Sequence, residues 1–436
     1  MNENKKIKIS GAHFATEEEL NNEKFLQNEG CIYGEFNNKP ITDSSYINML
    51  LLTPTGTGKG VSFIIPNLLS WNESVIIHDI KLENYKLTSG YRQNELKQKV
   101  FVWNPVAKDG ITNCYNPLDW ISKDSKIVVN DIQNIIRPLL YKNDYLQIEA
   151  RSLLTSIILY LLEENKTITF GKILKTIKST RFLNNLRDAL DNVELHPTAR
   201  TNINSFLKKS ENEKNDIIFS ILKALYLWSD PLIDYATSKS DFNISDFINE
   251  KQTLYVGVEI SDMERLKPLF KMFYQQCFNT IVSLNIECQK IKHGILMILD
   301  EFTTLGKIDS IINTIPYTRG YKLKICIIEQ NIDRLKYLYE EKEVNQILSN
   351  TNKIIFAPNN RNTANLLSEM IGDEIIVDEN GNKSARPLML PQEIVDLKKK
   401  EEIILMVDSK IIKCNKFFYY EKPEFTGKIM DTARIK

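Results

Sequence analysis

The segment Thr53-Pro-Thr-Gly-Thr-Gly-Lys-Gly60 has the residue types and spacing for phosphate chemistry. It lies between an apolar run, residues 47–52, and an apolar helical pattern, residues 61–69. A strand, a Gly-rich turn, a Lys and a helix make a phosphate-cradling loop. Gly56 and Gly58 let the backbone approach phosphates with its N–H groups turned inward. Lys59 is placed to reach the β- and γ-phosphate oxygens, and the following helix adds its positive dipole end. The expected nucleotide-binding set is therefore Thr55, Gly56, Thr57, Gly58, Lys59 and Gly60. The common pattern is G-x-x-x-x-G-K-[ST]. Here Thr53 replaces the first Gly, and Gly60 replaces the hydroxyl that would bind Mg²⁺. The plain alternative is an ordinary Gly-rich turn. In the phosphate reading Lys59 contacts nucleotide alone, so its removal is expected to leave the fold intact.

A second set of residues completes the chemistry. Ile295-Leu-Met-Ile-Leu-Asp300-Glu301 is an apolar strand ending in two acids, the form of a Walker B element. Asp300 is the candidate Mg²⁺ ligand, directly or through water. Glu301 is the candidate base that orients and deprotonates the attacking water. An apolar run before two acids is also what a strand before a solvated turn looks like. Its pairing with the upstream loop favours the functional reading, because ligands collect at the carboxyl ends of parallel strands. Gln330 ends the strand at residues 323–328 and can reach a γ-phosphate or its water. Arg319 lies in Tyr317-Thr-Arg-Gly-Tyr321, where a turn can present it as a finger across a subunit boundary. Each could equally be a surface residue.

The elements that must position these groups follow from periodicity. Short apolar runs occur at residues 47–52, 74–78, 100–103, 253–258, 294–299, 324–328 and 352–356. Such runs read as strands buried on both faces. Alternation with helical patterns gives an α/β fold with a mostly parallel sheet and right-handed crossovers. Residues 123–250 differ. Helical spacing recurs at 131–140, 146–162, 171–177, 181–190, 197–206 and 215–228, with no convincing strand between. The expected organisation is a discontinuous nucleotide-binding domain, 1–122 and 251–436, interrupted by an all-helical domain, 123–250. Beyond it, short strands are expected at 374–377, 402–407 and 417–420, and residues 398–400 read as a solvated helix end.

Composition narrows the class. The 436 residues are 42% hydrophobic and 26% charged, ordinary for a globular protein of two or three domains. With 56 basic and 56 acidic residues there is no overall cationic footprint for nucleic acid. The helical segment holds 17 of each sign, so any DNA contact has to be local. Cys31, Cys114, Cys277, Cys288, Cys326 and Cys414 form no C-x-x-C pair and read as reduced, buried thiols. The scattered histidines do not suggest zinc. No uninterrupted apolar run approaches ~18 residues, and the first residues lack the apolar core of a signal peptide.

Several further motifs occur in order. They are Gly11-Ala-His-Phe-Ala-Thr-Glu-Glu-Glu-Leu20, Gly58-Lys-Gly-Val-Ser-Phe-Ile-Ile-Pro-Asn-Leu-Leu69, Asp79-Ile-Lys-Leu-Glu83 and Tyr115-Asn-Pro-Leu118, then Leu299-Asp-Glu-Phe-Thr-Thr-Leu-Gly306, Phe356-Ala-Pro-Asn359 and Arg386-Pro-Leu-Met-Leu-Pro391. Together they resemble, over nearly the whole chain, the TraG/TraD-like coupling proteins of type IV secretion. These belong to the additional-strand P-loop ATPases, with FtsK-like and HerA-like DNA pumps. The resemblance implies a RecA-like fold, ATP and Mg²⁺ as cofactors, and a homohexamer beside a secretion channel. It implies recruitment of relaxase-bound DNA or effector proteins, non-specific DNA contact, and a place on the cytoplasmic face of the bacterial inner membrane. It assigns Arg319 the finger and Gln330 the phosphate-sensing position. It also accepts Gly at position 60, which leaves Thr57 as the nearest hydroxyl for Mg²⁺. Thr53, Leu82 and Ser62 stand where the family form has Gly, and bear on hydrolysis rate more than on binding. The family carries a two-helix membrane anchor before the Gly11 motif. None is seen here, so a truncated chain and a soluble variant relying on a membrane partner both stay open. The leading reading is an ATP-driven coupling protein. The alternatives are a nucleotide-binding recruitment module with negligible hydrolysis and a cytosolic DNA translocase.

Overall fold

A computed structural model describes residues 7–164, 167–283, 291–377, 381–408 and 410–435. Its strands, in chain order, are β1 (Ile7–Gly11), β2 (Cys31–Phe36), β3 (Lys39–Asp43), β4 (Asn48–Leu52), β5 (Ser74–Ile80), β6 (Lys99–Trp103), β7 (Gln252–Val258), β8 (Ile295–Leu299), β9 (Leu323–Glu329), β10 (Thr351–Phe356), β11 (Asp373–Val377), β12 (Lys383–Pro387), β13 (Glu401–Leu405) and β14 (Ile411–Asn415). Eleven of them form one sheet in the order β3-β2-β14-β13-β10-β4-β9-β8-β5-β7-β6. From β10 to β6 every pairing is parallel. From β10 out to β3 the pairings are antiparallel. The remaining strands form a small antiparallel sheet, β1-β11-β12.

The apolar runs become two-faced strands for a simple reason. Successive side chains point to opposite faces, so a strand covered on both sides must be apolar at every position. Leu50 and Leu52 join the core on one face of β4, and Met49 and Leu51 join the core on the other. The first face carries helix Met263–Ser283 and the helical segment that precedes it in sequence. The second carries the helices after β4 and β5. Arg92, in the helix Glu83–Asn94, is fully buried beneath this second face. Its guanidinium donates to Leu68 O, Trp71 O, Glu73 O, Gln98 Oε1 and Thr253 Oγ1. A satisfied fork of this kind makes a buried cation tolerable and ties the two helices to the sheet.

Between β6 and β7 the described residues form helices only, from Pro117–Trp120 to Ile244–Ile248. The longest, Tyr145–Glu163, is apolar enough to cross a membrane by length and composition, but half of that stretch is buried. It is packed by helices Pro197–Leu207 and Glu211–Ala224, so its apolar character is that of a core helix.

Several local expectations need correction. Residues 417–420 are not a strand. The strand is β14, a few residues earlier; Phe417 joins a small core with Ile65 and Leu69, and the Phe418 ring lies beside Gly58. Residues 398–400 form an exposed turn into β13, where the Lys398 amide donates to Glu401, rather than a helix end. The first helical turn after Lys59 is wide (Gly60–Ile64), and the α-helix proper is Ile65–Ser70. The helix expected at 131–140 runs Val128–Ile136, because Pro138 cannot continue it. Strands β1, β2, β3 and β12 have no expectation to match them: they are short and mix polar residues into their runs. Cys31, Cys114, Cys277, Cys326 and Cys414 are buried and free; Cys288 lies outside the described residues.

Candidate nucleotide-binding and catalytic site

The site forms where β4, β9 and β8 end side by side. β9, which delivers Gln330, lies between the phosphate-loop strand and the Asp-Glu strand. The loop is pinned at its start, where Thr53 N donates to Glu329 O at 2.8 Å. Gly56 (φ +79°) and Gly58 (φ +96°) occupy the left-handed region, which a side chain would strain. A Cβ at Gly56 or Gly60 would meet nothing within 4 Å, so the loop backbone is open on that side. Among the described residues, none accepts from the amides of residues 56–60. That set of unpaired N–H groups is the donor array a polyphosphate requires.

Lys59 bridges the two halves of the site. Its Nζ donates to Asp300 Oδ1 and to Glu301 Oε1, each at 2.7 Å. Burial pulls the Lys59 pKa down, but the attraction of Asp300 and the hydrogen bonds to both carboxylates outweigh it and leave the pKa raised. Burial pushes the Asp300 carboxyl up, with the adjacent Glu301 adding to it and Lys59 opposing. The expectation that Lys59 contacts nucleotide alone is thereby corrected.

Glu301 is the hub. Its backbone is left-handed (φ +51°), an unusual state for a non-glycine residue and one found at sites that the surrounding structure holds in place. Its Oε2 accepts from Gln330 Nε2 at 3.0 Å and from Arg334 Nη1 at 3.1 Å. Arg334 is absent from the sequence reading. Asn331 caps its helix by accepting from Arg334 N, which fixes where the guanidinium starts. An Asn three residues before an Arg, just past a strand end, was the available signal. Glu329 was missed too. It is buried with a raised pKa, accepts from the Thr303 amide, and so holds the turn after Glu301.

Thr57 is engaged within the loop: its Oγ1 donates to Pro54 O at 2.7 Å and lies 2.6 Å from Thr53 Oγ1. Thr55 is exposed at the loop tip. From behind, Lys416 Nζ donates to Thr57 O at 3.0 Å and sits 3.9 Å from the Phe356 ring centre. This clamp comes from a segment far away in sequence. Asp79, at the end of β5, is buried and its pKa rises to about 7. Burial is the main cause; Asp300 adds to it, and the bonds from Tyr85 and Asn84 oppose it. Leu82 adopts φ +55°, and its side chain fills space that a Cβ at Gly257 would occupy.

Arg319 is not brought to this site. It is exposed in the turn Thr318–Tyr321, which leads into the opposite end of β9. Seven residues of strand separate the two edges, about 20 Å at ~3.3 Å per residue.

A loop after one strand, an acid pair after another and an extra strand between them define a P-loop nucleotide-binding fold of the additional-strand class. Residues 8–435 match the family described as type IV secretory system conjugative DNA transfer, and the chain belongs to that family. A conjugal transfer protein TraG of Escherichia coli is 28% identical over 367 residues, 78% of this chain and 57% of that protein. Protein VirD4 of Agrobacterium fabrum is 28% identical over 407 residues, 87% of this chain and 60% of that one. The chain thus spans about three fifths of the length of these curated relatives. Among solved structures, plasmid coupling protein TrwB in complex with the non-hydrolysable ATP analogue ADPNP aligns with a TM-score of 0.71 at 17% identity, over 95% of each chain. TrwB with ADP and Mg²⁺ gives 0.66, also at 17% identity, over 96% of each chain. These likenesses establish the shared fold.

Proposed function

We propose that this chain is the ATP-driven engine of a coupling protein for conjugation or type IV secretion. The observation that carries the proposal is the convergence of Lys59, Asp300, Glu301 and Gln330 beneath a loop of unpaired amides. The donor set fits a nucleoside triphosphate with Mg²⁺. The amides of residues 56–60 and Lys59 would hold the phosphates, and Asp300 would hold the ion. Thr57 is the weaker candidate ligand, because its hydroxyl is already committed inside the loop. Mg²⁺, when bound, would neutralise negative charge on the phosphates. Glu301 takes the proton of the attacking water, and Gln330 and Arg334 orient its carboxylate. Thr55 and Gly60 shape the mouth of the loop. TrwB with ADPNP and with ADP and Mg²⁺, named above, supports the choice of ligand.

Arg319 acts in this reading as a finger supplied to the neighbouring subunit of a homohexamer. Its position about 20 Å from its own phosphate loop supports a role in trans. The ring sits at the cytoplasmic face of the bacterial membrane, beside the channel proteins. It receives relaxase-bound DNA or effector proteins and contacts DNA without sequence preference. The helical segment, proposed as a separate domain at about 123–250, reads the cargo. It carries exposed aromatic residues, Tyr141, Tyr145, Phe219, Tyr226 and Tyr235, that no core requires.

Mixing Arg319→Ala with Lys59→Ala protein tests the engine and the ring together. Each parent lacks a different half of the composite site. Mixed rings should regain hydrolysis where an Arg319→Ala loop faces an intact Arg319, since a finger in trans contributes about 10³–10⁵-fold. Rings that assemble and stay inactive refute the finger; wild-type rings without hydrolysis refute the engine.

A further inference from the structure

Asn48 is the first residue of β4, five positions before the phosphate loop begins. It is buried, and its amide uses its whole hydrogen-bonding capacity on one target, the turn that carries Arg319 and the strand after it. Nδ2 donates to Ile315 O at 3.0 Å and to Thr318 Oγ1 at 2.9 Å. Oδ1 accepts from Ile325 N at 2.9 Å and lies 3.1 Å from Thr318 Oγ1. Two donors and two acceptor sites are the inventory of a primary amide. The orientation is fixed by its partners, since a flipped amide would set its oxygen against the Ile315 carbonyl and its NH₂ against the Ile325 N–H. Thr318, itself 1% exposed, directly precedes Arg319.

The rest of the turn is tied down at its far end. Lys322 N donates to Arg319 O, Ile295 N donates to Lys322 O, and Lys322 Nζ donates to Ile291 O. At the near end Tyr317 N donates to Thr314 O, Gly320 N donates to Tyr317 O and Thr318 Oγ1 donates to Ile315 O, and Asn48 ties this end to β4. The Arg319 side chain is exposed beyond these anchors. A buried amide with every bond made is rigid, and losing it frees what it holds. A leucine or valine would serve a strand start at this depth equally well for packing. An amide aimed at Thr318 serves the turn.

We propose that Asn48 is a positioning residue for hydrolysis: it fixes the Arg319 turn to the phosphate-loop strand, so that each subunit's finger is held in register with its own loop while serving the neighbour's. This rests on the trans-finger reading above. The role is in trans, because what Asn48 holds is the finger and not the loop of its own subunit.

That assignment makes an asymmetric prediction, read on the full chain. Asn48→Ala should lower turnover on the order of 100-fold, the cost of an ångström-scale misplacement, with nucleotide affinity unchanged. Thr318→Val replaces the hydroxyl by a methyl of similar size, which removes the partner of Asn48, and should show the same pattern to a lesser degree. It replaces Asn48→Ala if circular dichroism shows that variant unfolded. Mixed with Lys59→Ala, which has a good finger and a dead loop, the Asn48 variant should regain hydrolysis. Mixed with Arg319→Ala it should not, because both then lack a working finger. Rescue by Arg319→Ala, by both or by neither in assembled rings overturns the proposal, and so does unchanged turnover in both variants. The Arg319→Ala with Lys59→Ala mixture is the separate control. If that pair alone fails, the finger reading falls and takes the role of Asn48 with it. If it succeeds while the asymmetry is absent, only the role of Asn48 is wrong.

Discussion

Lys59→Ala should cost stability as well as nucleotide binding. The Lys59 side chain is 25% exposed, and those of its partners Asp300 and Glu301 are 11% and 16% exposed. Both contacts are 2.7 Å. Removing one partner of a fully buried pair costs about 3–5 kcal/mol. Partial exposure of Lys59 and the remaining bonds from Gln330 and Arg334 to Glu301 reduce that, so about 1–3 kcal/mol is expected. The sign with pH is fixed. Without Lys59 the Asp300 pKa rises further above its ordinary 3.8, for the reason that already raises it, burial beside Glu301. An acid with a raised folded pKa contributes stability fully below its unfolded pKa and loses it as pH rises through the folded value. The deficit relative to wild type should therefore be larger at pH 8 than at pH 5. Urea denaturation at both values reads it. Adding ATP at 100 times its Kd should stabilise the wild type by about 2.7 kcal/mol and leave the variant unmoved. An unchanged midpoint at both pH values would refute the bridging role of Lys59. An equal ATP shift in both proteins would refute its phosphate contact.

Three other expectations follow from the same geometry. Glu301→Gln should bind ATP and lose turnover by about 10²–10⁴-fold, since the amide keeps the shape and lacks the base; radiolabelled ATP turnover at the parental rate would move the base elsewhere. Asp79, with a folded pKa of about 7 against an ordinary 3.8, should make the protein less stable as pH rises from about 4 to about 7, by about 4 kcal/mol, and Asp79→Asn should flatten that slope in denaturation curves. Exchanging residues 123–250 with those of a related coupling protein should redirect cargo in a transfer assay without altering basal hydrolysis; unchanged cargo choice would place recognition outside the helical segment.

The parts legible in the sequence are those where local chemistry leaves one solution. Gly56 and Gly58 sit at positive φ, so only glycine suits the loop that Lys59 follows. The runs that became β4, β5, β7, β8, β9 and β10 are apolar at successive positions because both sheet faces are covered. Asp300, Glu301 and Gln330 come at the ends of such runs, so one pattern marks both the strand ends and the candidate site residues. Strand order was not legible: that β9 separates β4 from β8 is a long-range pairing which no local pattern encodes.

What only the tertiary structure decided are contacts between groups distant in the chain. Arg334, Glu329 and Lys416 reach the site through an ion pair with Glu301, a bond from the Thr303 amide and a bond to Thr57 O, each with a partner distant in the chain. The bridge from Lys59 to Asp300 spans 241 positions, and the link from Asn48 to Thr318 spans 270. A sequence carries residue type and period, which determine the elements and the loop chemistry. Which polar groups pair when those elements close is settled by packing, because a buried donor takes whatever acceptor the fold brings within 3 Å. Nor does the sequence show that Arg319 and Lys59 lie at opposite edges. That follows from the parallel direction of β4 and β9, which sets the start of β9 and the end of β4 at opposite edges of the sheet.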